Sequence, residues 1–501
     1  MIEFQRTDFE KYTDKNTFEK IVKIETVPKL LQFVKENYGN RDAFGLRDGS
    51  KKTFDELFAD ILKLCSVLKE RGVKRGDYVS ILSGNNYEFV VSSLAVMSYG
   101  VVAVLLPVQL TKEAVFGCSK NYGAEFILFD DDLVKKTEFF ENKLSINDCL
   151  KSDKNNDFEI DYNEIEKDFP ACVVLTGGTT GKSKGVLLTH LNIMSGVING
   201  CYGIPEPFHQ VYYSMMPLTH VFGLIRNMLT SIYTGSLMYF NYEKPAMVKD
   251  LQTYQPTVMV IVPALAEMFL SLMKQFGDGV LGGKLKTVIA GGASVPSYIT
   301  LEYAQRGINL CPGYGMTEMA NMVSGNPEPT KYPDSVGMLF PGIQGKIVDD
   351  ELWLRGDNLT PGYIKEDEEN AKSFEDGWFK TGDLAYFDEN KFLYITGRIK
   401  ELIVLPNGEN VSPAFIEGKF NEFAIIQDSL VFEKDGKLVV EVVLRKSEIL
   451  KEKIEDEKAA VLGILEKVND ELRDFEKVIE ISIRENDFER SPSMKILRPK
   501  K

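Results

Sequence analysis

Histidine is scarce in this chain: three in 501 residues, at positions 190, 209 and 220. A metal centre built on several histidines is thereby excluded. The six cysteines (65, 118, 149, 172, 201 and 311) are scattered, with no C-x-x-C pair. They offer no cysteine metal site and suit a reducing compartment. No apolar run approaches the ~20 residues of a membrane-spanning helix. The opening stretch, MIEFQRTDFEKYTDK, is charged and lacks the apolar core of a secretory leader. A cytoplasmic chain without a membrane span is expected. A basic excess is missing too: 59 Lys and Arg stand against 74 Asp and Glu, a net charge of −15. With a sequence pI near 5.0, this argues against nucleic-acid binding. Sequence repeats, low-complexity tracts and long linkers are also absent. The composition, 44% hydrophobic and 27% charged, is that of an ordinary globular protein. The length exceeds what one core organises, so two or more domains are expected.

Strand and helix patterns alternate from residue 53 onward. An amphipathic stretch opens at Phe54 and ends near Leu68. A strand follows at Tyr78–Leu82, a helix at Tyr87–Tyr99 and a strand at Val101–Leu106. The rhythm recurs over 171–240 and 257–312, with strands at Val258–Val262 and Thr287–Ala290. Strands separated by helices imply a parallel sheet. Around 335–398 short strands with Gly, Pro and Asp turns read as a small antiparallel region: Lys346–Val348, Glu351–Leu354 and Phe392–Ile395. After Gly397 comes a separate α/β block, with strands at Leu430–Phe432 and Leu438–Leu444. Ser447–Phe475 reads as a broken, charged amphipathic helix with a solvated face.

The most informative segment is Cys172–His190. An apolar strand opens into Thr176-Gly177-Gly178-Thr179-Thr180-Gly181-Lys182-Ser183-Lys184-Gly185, and an apolar run, Val186–Leu188, follows. Glycines let backbone N–H groups converge on an anion, while threonines and lysines add donors and charge. Such a loop suits a polyphosphate; a flexible surface hairpin is the plainer reading. The G-x-x-x-x-G-K-[ST] P-loop is a near miss, because its first glycine falls on Thr176. A P-loop also starts a helix at its lysine, whereas Lys184-Gly185 leads into a strand pattern.

Four other segments carry chemistry. Pro217-Leu218-Thr219-His220-Val221-Phe222-Gly223 follows a strand and opens an apolar helix, which places His220 either structurally or toward a substrate. Ala290-Gly291-Gly292-Ala293 ends a strand, where a flat ligand can approach the backbone or the chain can simply turn. Gly313-Tyr314-Gly315-Met316-Thr317-Glu318 offers a ring for base stacking, a hydroxyl for phosphate and a hard oxygen ligand for Mg²⁺. In Thr381-Gly382-Asp383 the acid can accept from ribose hydroxyls or form an Asx turn. Gly397-Arg398-Ile399-Lys400-Glu401 sits at the block boundary. Ser491-Pro492-Ser493-Met494-Lys495-Ile496-Leu497 lies near the end.

Taken in this order, the segments resemble the adenylate-forming superfamily: acyl-CoA synthetases, aryl-CoA ligases, firefly luciferase and the adenylation domains of peptide synthetases. The resemblance runs from about Thr53 to Leu497. It departs at Gly177 (Ser in the family), Ser183 (Pro) and Met494 (Gly). It implies an α/β fold with a large N-terminal domain, 1–398, of two doubly wound, mostly parallel sheets and a small antiparallel β region. A small mobile C-terminal α/β domain, 399–501, would carry the catalytic lysine. The implied roles fall on matching positions. Thr176, Gly177, Gly178, Thr179, Thr180, Gly181 and Lys184 would hold the ATP phosphates. Gly292, Ala293 and Tyr314 would form the adenine slot, and Asp383 and Arg398 would bind ribose. Thr317 would contact the α-phosphate, Glu318 would hold Mg²⁺, and Lys495 would bridge the substrate carboxylate and α-phosphate. Lys400 would be the hinge. His220 joins the reacting groups, and Phe222, Arg226, Gly315 and Met316 surround the acyl group.

The reaction so implied is activation of a carboxylic acid to acyl-AMP with release of pyrophosphate, then transfer to the thiol of CoA. A fatty acid is the expected substrate. Leu402–Val411 looks like the corresponding loop of fatty acyl-CoA synthetases, and the run after His220 is apolar. Arg226 interrupts that run. An arginine turned to solvent or into an ion pair is expected; one facing the pocket would suit a second substrate carboxylate. Two readings stay open: loading onto the phosphopantetheine of an acyl carrier protein, and a non-catalytic nucleotide or acyl binder.

Overall fold

Short apolar strands joined by amphipathic helices build the body of the molecule. The computed structural model describes residues 1–151, 158–176, 184–490 and 496–498. The expected calls at Gly177, Gly178, Thr179, Thr180, Gly181 and Lys495 therefore lie outside the described residues.

The helix expected after Thr53 runs Phe54–Glu70. Its start is fixed by reciprocal caps: Thr53 Oγ1 accepts from the Glu56 amide at 3.2 Å, and the Glu56 carboxylate accepts from the Thr53 amide at 2.8 Å. It leads into a seven-stranded sheet ordered 362–363, 184–189, 170–176, 102–105, 78–82, 124–129, 142–145. The last five strands are parallel. The sheet is mostly parallel, as expected, and Lys184–Thr189 is an exception that runs antiparallel to Pro170–Thr176. Only residues 177–183 join the two, too short for a crossover, and a hairpin is what such a length permits.

A nine-stranded sheet follows, ordered 338–339, 324–325, 309–314, 287–290, 258–261, 211–214, 237–240, 42–45, 51–53. The strands from 309–314 through 42–45 are parallel. Their residues are buried on both faces, as Val258–Ile261 and Thr287–Ala290 show. The antiparallel region expected at 335–398 is a six-stranded sheet that also recruits Ile2–Glu3.

Beyond Arg398 the chain forms its own core. Strands Ile426–Lys434, Lys437–Leu444 and Val478–Arg484 pack with helices Pro413–Asn421 and Glu457–Glu471 around Val411, Ile416, Phe420, Ile426 and Val442. The charged helical stretch breaks between Lys451 and Glu457, and its second part buries Val461, Ile464, Leu465 and Val468. This block touches the larger one through polar groups. Arg445 pairs with Glu267 and lies 3.2 Å from the Tyr298 hydroxyl. Glu422 accepts from the Ser297 amide at 2.8 Å and from its hydroxyl. Burial pushes the Glu422 carboxyl above its ordinary value.

His190 is fully buried at the start of helix His190–Asn199. Its Nδ1 accepts from the Val27 amide at 3.2 Å. Burial lowers its pKa from 6.5 to about 3, so the native ring is neutral where the unfolded ring is protonated. Because the unfolded state then binds more protons, stability falls as pH drops below 6.5 toward 3. The slope contributed is at most about 1.4 kcal/mol per pH unit. Urea unfolding of wild type and His190→Gln at several pH values is expected to show a shallower acid loss in the variant. Parallel curves would place the acid-labile group elsewhere.

Candidate functional site

The carboxyl ends of the parallel strands 258–261, 287–290 and 309–314 open on one edge, where such sheets bind ligands. Gly291 is buried there, while Gly292 and Ala293 are exposed. Gly292 has φ +84°, which a side chain would disfavour.

Tyr314 ends the next strand. Its hydroxyl donates to Asp383 Oδ2 at 2.5 Å, and Arg398 Nε lies 2.8 Å from Asp383 Oδ1. Asp383 and Arg398 are direct cross-strand partners in the antiparallel sheet, so two sheets meet at this carboxylate. Asp383 is 1% exposed. A carboxylate has about four lone-pair sites, and such a group can accept from vicinal hydroxyls. Burial, and then the Asp383 charge, hold the Tyr314 phenol well above its ordinary value, which keeps it a donor. The same carboxylate raises the Arg398 guanidinium. The Thr-Gly-Asp turn has a local logic. Thr381 Oγ1 accepts from the Asp383 amide at 3.0 Å and donates to the Leu352 carbonyl at 2.7 Å, and Gly382 takes φ +69°.

After Tyr314 the backbone folds back on itself. A Cβ at Gly315 would lie 1.3 Å from the Asn321 carbonyl oxygen, so no side chain fits. Ala320 and Asn321 take φ of 44° and 70°, unusual for residues with side chains. Asn358 secures this turn: its Nδ2 donates to the carbonyls of Met319 and Met322, both at 2.8 Å. Thr317 is buried on it and Met316 half-buried. Glu318 Oε1 accepts from the Tyr363 hydroxyl at 2.7 Å, and the Glu318 carbonyl accepts from the Thr360 amide at 2.8 Å.

Tyr363 also links Glu318 to the hairpin of strands 170–176 and 184–189. It pairs with Val186, and its ring lies 5.2 Å from Lys184 Nζ. Lys184 is ion-paired with Glu369 at 2.5 Å and lowers the Glu369 carboxyl. Thr176 pairs across from Lys184 and donates to its carbonyl at 3.3 Å. Asn358, Thr360, Tyr363 and Glu369 escaped the sequence reading, since no motif marks them; strand pairing brings in Tyr363, and hydrogen bonds and an ion pair bring in the others. Lys400 is exposed in the single turn Ile399–Glu401 after Arg398.

The helix expected after His220 is a π-helix, Phe222–Leu229, which continues as a short α-helix, Thr230–Tyr233. π-turns are rare and often mark functional sites. His220 is exposed at its mouth, with Nδ1 accepting from the Phe222 amide at 3.2 Å. Gly223 is required because a Cβ would lie 2.1 Å from the Pro217 carbonyl oxygen. The Phe222 ring rests on Gly291, 3.6 Å from where a Cβ would stand. Arg226 overturns its expectation. It is 2% exposed and has no salt bridge among the described residues. The helix packs its whole circumference, so an arginine at that position has no route to solvent.

No group of three or more His, Cys, Asp or Glu side chains able to hold a metal occurs among the described residues. No described helix is long and apolar enough to cross a membrane.

A ring and two glycines beside a buried carboxylate, at the carboxyl edge of a parallel sheet, define a nucleotide-binding α/β architecture. Residues 31–364 match the family model described as AMP-binding enzyme, and residues 400–501 match that of the AMP-binding enzyme C-terminal domain. The chain belongs to the AMP-binding enzyme family, within the adenylate-forming superfamily. It is 27% identical over 453 residues to a 2-succinylbenzoate–CoA ligase of Bacillus cereus, covering 86% of this chain and 91% of that one. It is 26% identical over 443 residues to a 4-coumarate–CoA ligase-like protein of Arabidopsis thaliana, covering 79% and 78%. Among solved structures, o-succinylbenzoate CoA synthetase from Bacillus subtilis with its acyl-adenylate superposes with TM-score 0.76 at 25% identity, covering 94% of this chain and 97% of that one.

Proposed function

We propose that this chain is an AMP-forming acid–thiol ligase that activates a carboxylic acid with ATP and passes the acyl group to CoA. The observation that supports it most is the buried Asp383 held between Tyr314 and Arg398 beside the strand-end glycines. Adenine would lie against Tyr314 and Gly292–Ala293, with ribose hydroxyls on Asp383. Thr317 would donate to the α-phosphate, and the Thr176–Lys184 hairpin would hold the outer phosphates. Glu318 fits Mg²⁺: it is a single carboxylate, half-buried beside the phosphate hairpin, and Mg²⁺ commonly takes one or two carboxylates plus substrate phosphates. When bound, the ion would neutralise phosphate charge.

The substrate carboxylate is already ionised at neutral pH, so no general base is needed for its attack on the α-phosphorus. Acyl-AMP and pyrophosphate result, and the CoA thiol then displaces AMP from the acyl carbonyl. Lys495 would offset the repulsion between the two anions in the first step. Residues 399–501 would rotate about Lys400 relative to 1–398, withdrawing Lys495 and admitting the thiol. The relatives are named for aromatic acids, and a fatty acid rests only on the apolar helix residues and the 402–411 loop.

The test is ATP-dependent pyrophosphate release across short, long, aromatic and dicarboxylic acids, with and without CoA. Acid-dependent release with a thioester formed only when CoA is present is the expected result. Release without a thioester would move the acceptor to a carrier protein. ATP binding without release for any acid would leave a nucleotide binder.

A further inference from the structure

Arg226 is the one largely buried arginine in the body of the molecule whose charge the described residues do not answer with an anion. Its side chain is 2% exposed, and Nη1 makes no hydrogen bond. The titratable groups that feel its charge are Tyr212, Cys201 and Cys311. All three are neutral near pH 7. Burial pushes both thiols up to about 12, and it raises the Tyr212 phenol, although a hydrogen bond from Arg226 opposes the shift. A guanidinium removed from water with no counter-ion is strongly unfavourable unless something completes it. The flanking residues are committed elsewhere: Ile225 packs on Gly196, and Asn227 donates to Ser214 at 2.9 Å.

Its position points to what completes it. Arg226 stands four residues after Phe222 on the π-helix, close to one turn, so the two share a side. Phe222 rests on Gly291 at the carboxyl edge of the sheet. Cys311 lies on the strand that ends at Tyr314. Arg226 is therefore set deeper than Phe222, behind the edge where the nucleotide residues gather.

We propose that Arg226 is a specificity-determining residue that receives a second carboxylate of the substrate, so that the preferred acids are dicarboxylic. The proposal rests on the ligase reading above. One carboxylate is activated at the open edge, and the other, at the far end of the acid, sits on the guanidinium. A planar fork of donors matches a carboxylate in a way that an apolar tunnel end cannot.

The experiment uses two matched pairs: adipate with hexanoate, and 2-succinylbenzoate with benzoylpropionate, which is the same skeleton without the ring carboxylate. Both kcat/KM from pyrophosphate release and Kd from calorimetry are measured on the full chain. In wild type at least one dicarboxylate is expected to exceed its partner by about thirtyfold or more in each quantity. In Arg226→Leu that ratio is expected to fall to near unity. In Arg226→Lys, which keeps the charge without the fork, it is expected to lie between. A purely structural arginine would scale both members of a pair equally, and an unchanged ratio in Arg226→Leu would overturn the proposal. So would wild-type ratios near unity, and in that case turnover of the monocarboxylates would leave the ligase reading intact. Selective dicarboxylate binding that Arg226→Leu abolishes, without turnover of any acid, would uphold the proposal and defeat the ligase reading.

Discussion

Gly315→Ala is expected to abolish acid-dependent pyrophosphate release and to destabilise the larger domain by about 3 kcal/mol or more. The added methyl would have to occupy the place of the Asn321 carbonyl oxygen, 1.3 Å from its ideal position. Backbone must move, since neither atom belongs to a flexible side-chain end. The segment that would yield is already held in left-handed geometry at Ala320 and Asn321 and fastened by Asn358. It carries Thr317 and Glu318, and Tyr314 precedes it directly. One methyl therefore displaces together Tyr314, Thr317 and Glu318, the residues proposed for the base, the α-phosphate and Mg²⁺. Thermal unfolding and the pyrophosphate assay check this. A variant with wild-type midpoint and turnover would show that the turn relaxes freely. Gly292→Ala is the informative contrast: its Cβ would meet only Val262 Cγ1 at 3.8 Å, so conformational strain alone would act.

Lys495→Ala is expected to lower adenylation by about a hundred- to a thousandfold. Thioester formation from supplied acyl-AMP should remain within a few fold of wild type. The asymmetry follows from charge. In the first half-reaction two anions must meet, and an ammonium between them acts mostly in the transition state. In the second, a thiol attacks a mixed anhydride whose leaving group, on the proposed reading, Asp383 and Tyr314 already hold. Separate assays of pyrophosphate release and of acyl transfer give the answer. Equal losses in both would mean that Lys495 serves general folding or nucleotide binding. Met494→Gly in the same background of assays measures what the departure beside this lysine does to the first step.

Much of the architecture could be read from the chain because buried parallel strands announce themselves as short apolar runs. Tyr78–Leu82, Val258–Ile261 and Thr287–Ala290 fall where those runs do. The hairpin at Thr176–Lys184 is harder, since its two strands look alike whether they pair antiparallel or cross over; only the loop length decides. The π-helix at Phe222–Leu229 has no signature in its residues, whose apolar run suits an ordinary α-helix equally well. Arg226 was misjudged for a related reason. A lone arginine in an apolar run ordinarily faces outward, and the rule fails where a helix is surrounded on every side. Asp383 and Arg398 were visible as motifs, but their joint hold on each other depends on a cross-strand register that sequence does not state. Tyr363 and Asn358 reach Glu318 and its turn from about forty residues further along the chain, by pairing of 362–363 with 186–187 and by side-chain bonds to carbonyls.

The seam between the two blocks includes Arg445, Glu267, Tyr298, Ser297 and Glu422, and the Ser412 hydroxyl on the Thr396 carbonyl. When such polar contacts part, each ion and hydroxyl they release finds water instead. If the blocks swing apart as proposed, added salt, by weakening the Arg445–Glu267 attraction, would tilt the balance toward the parted form.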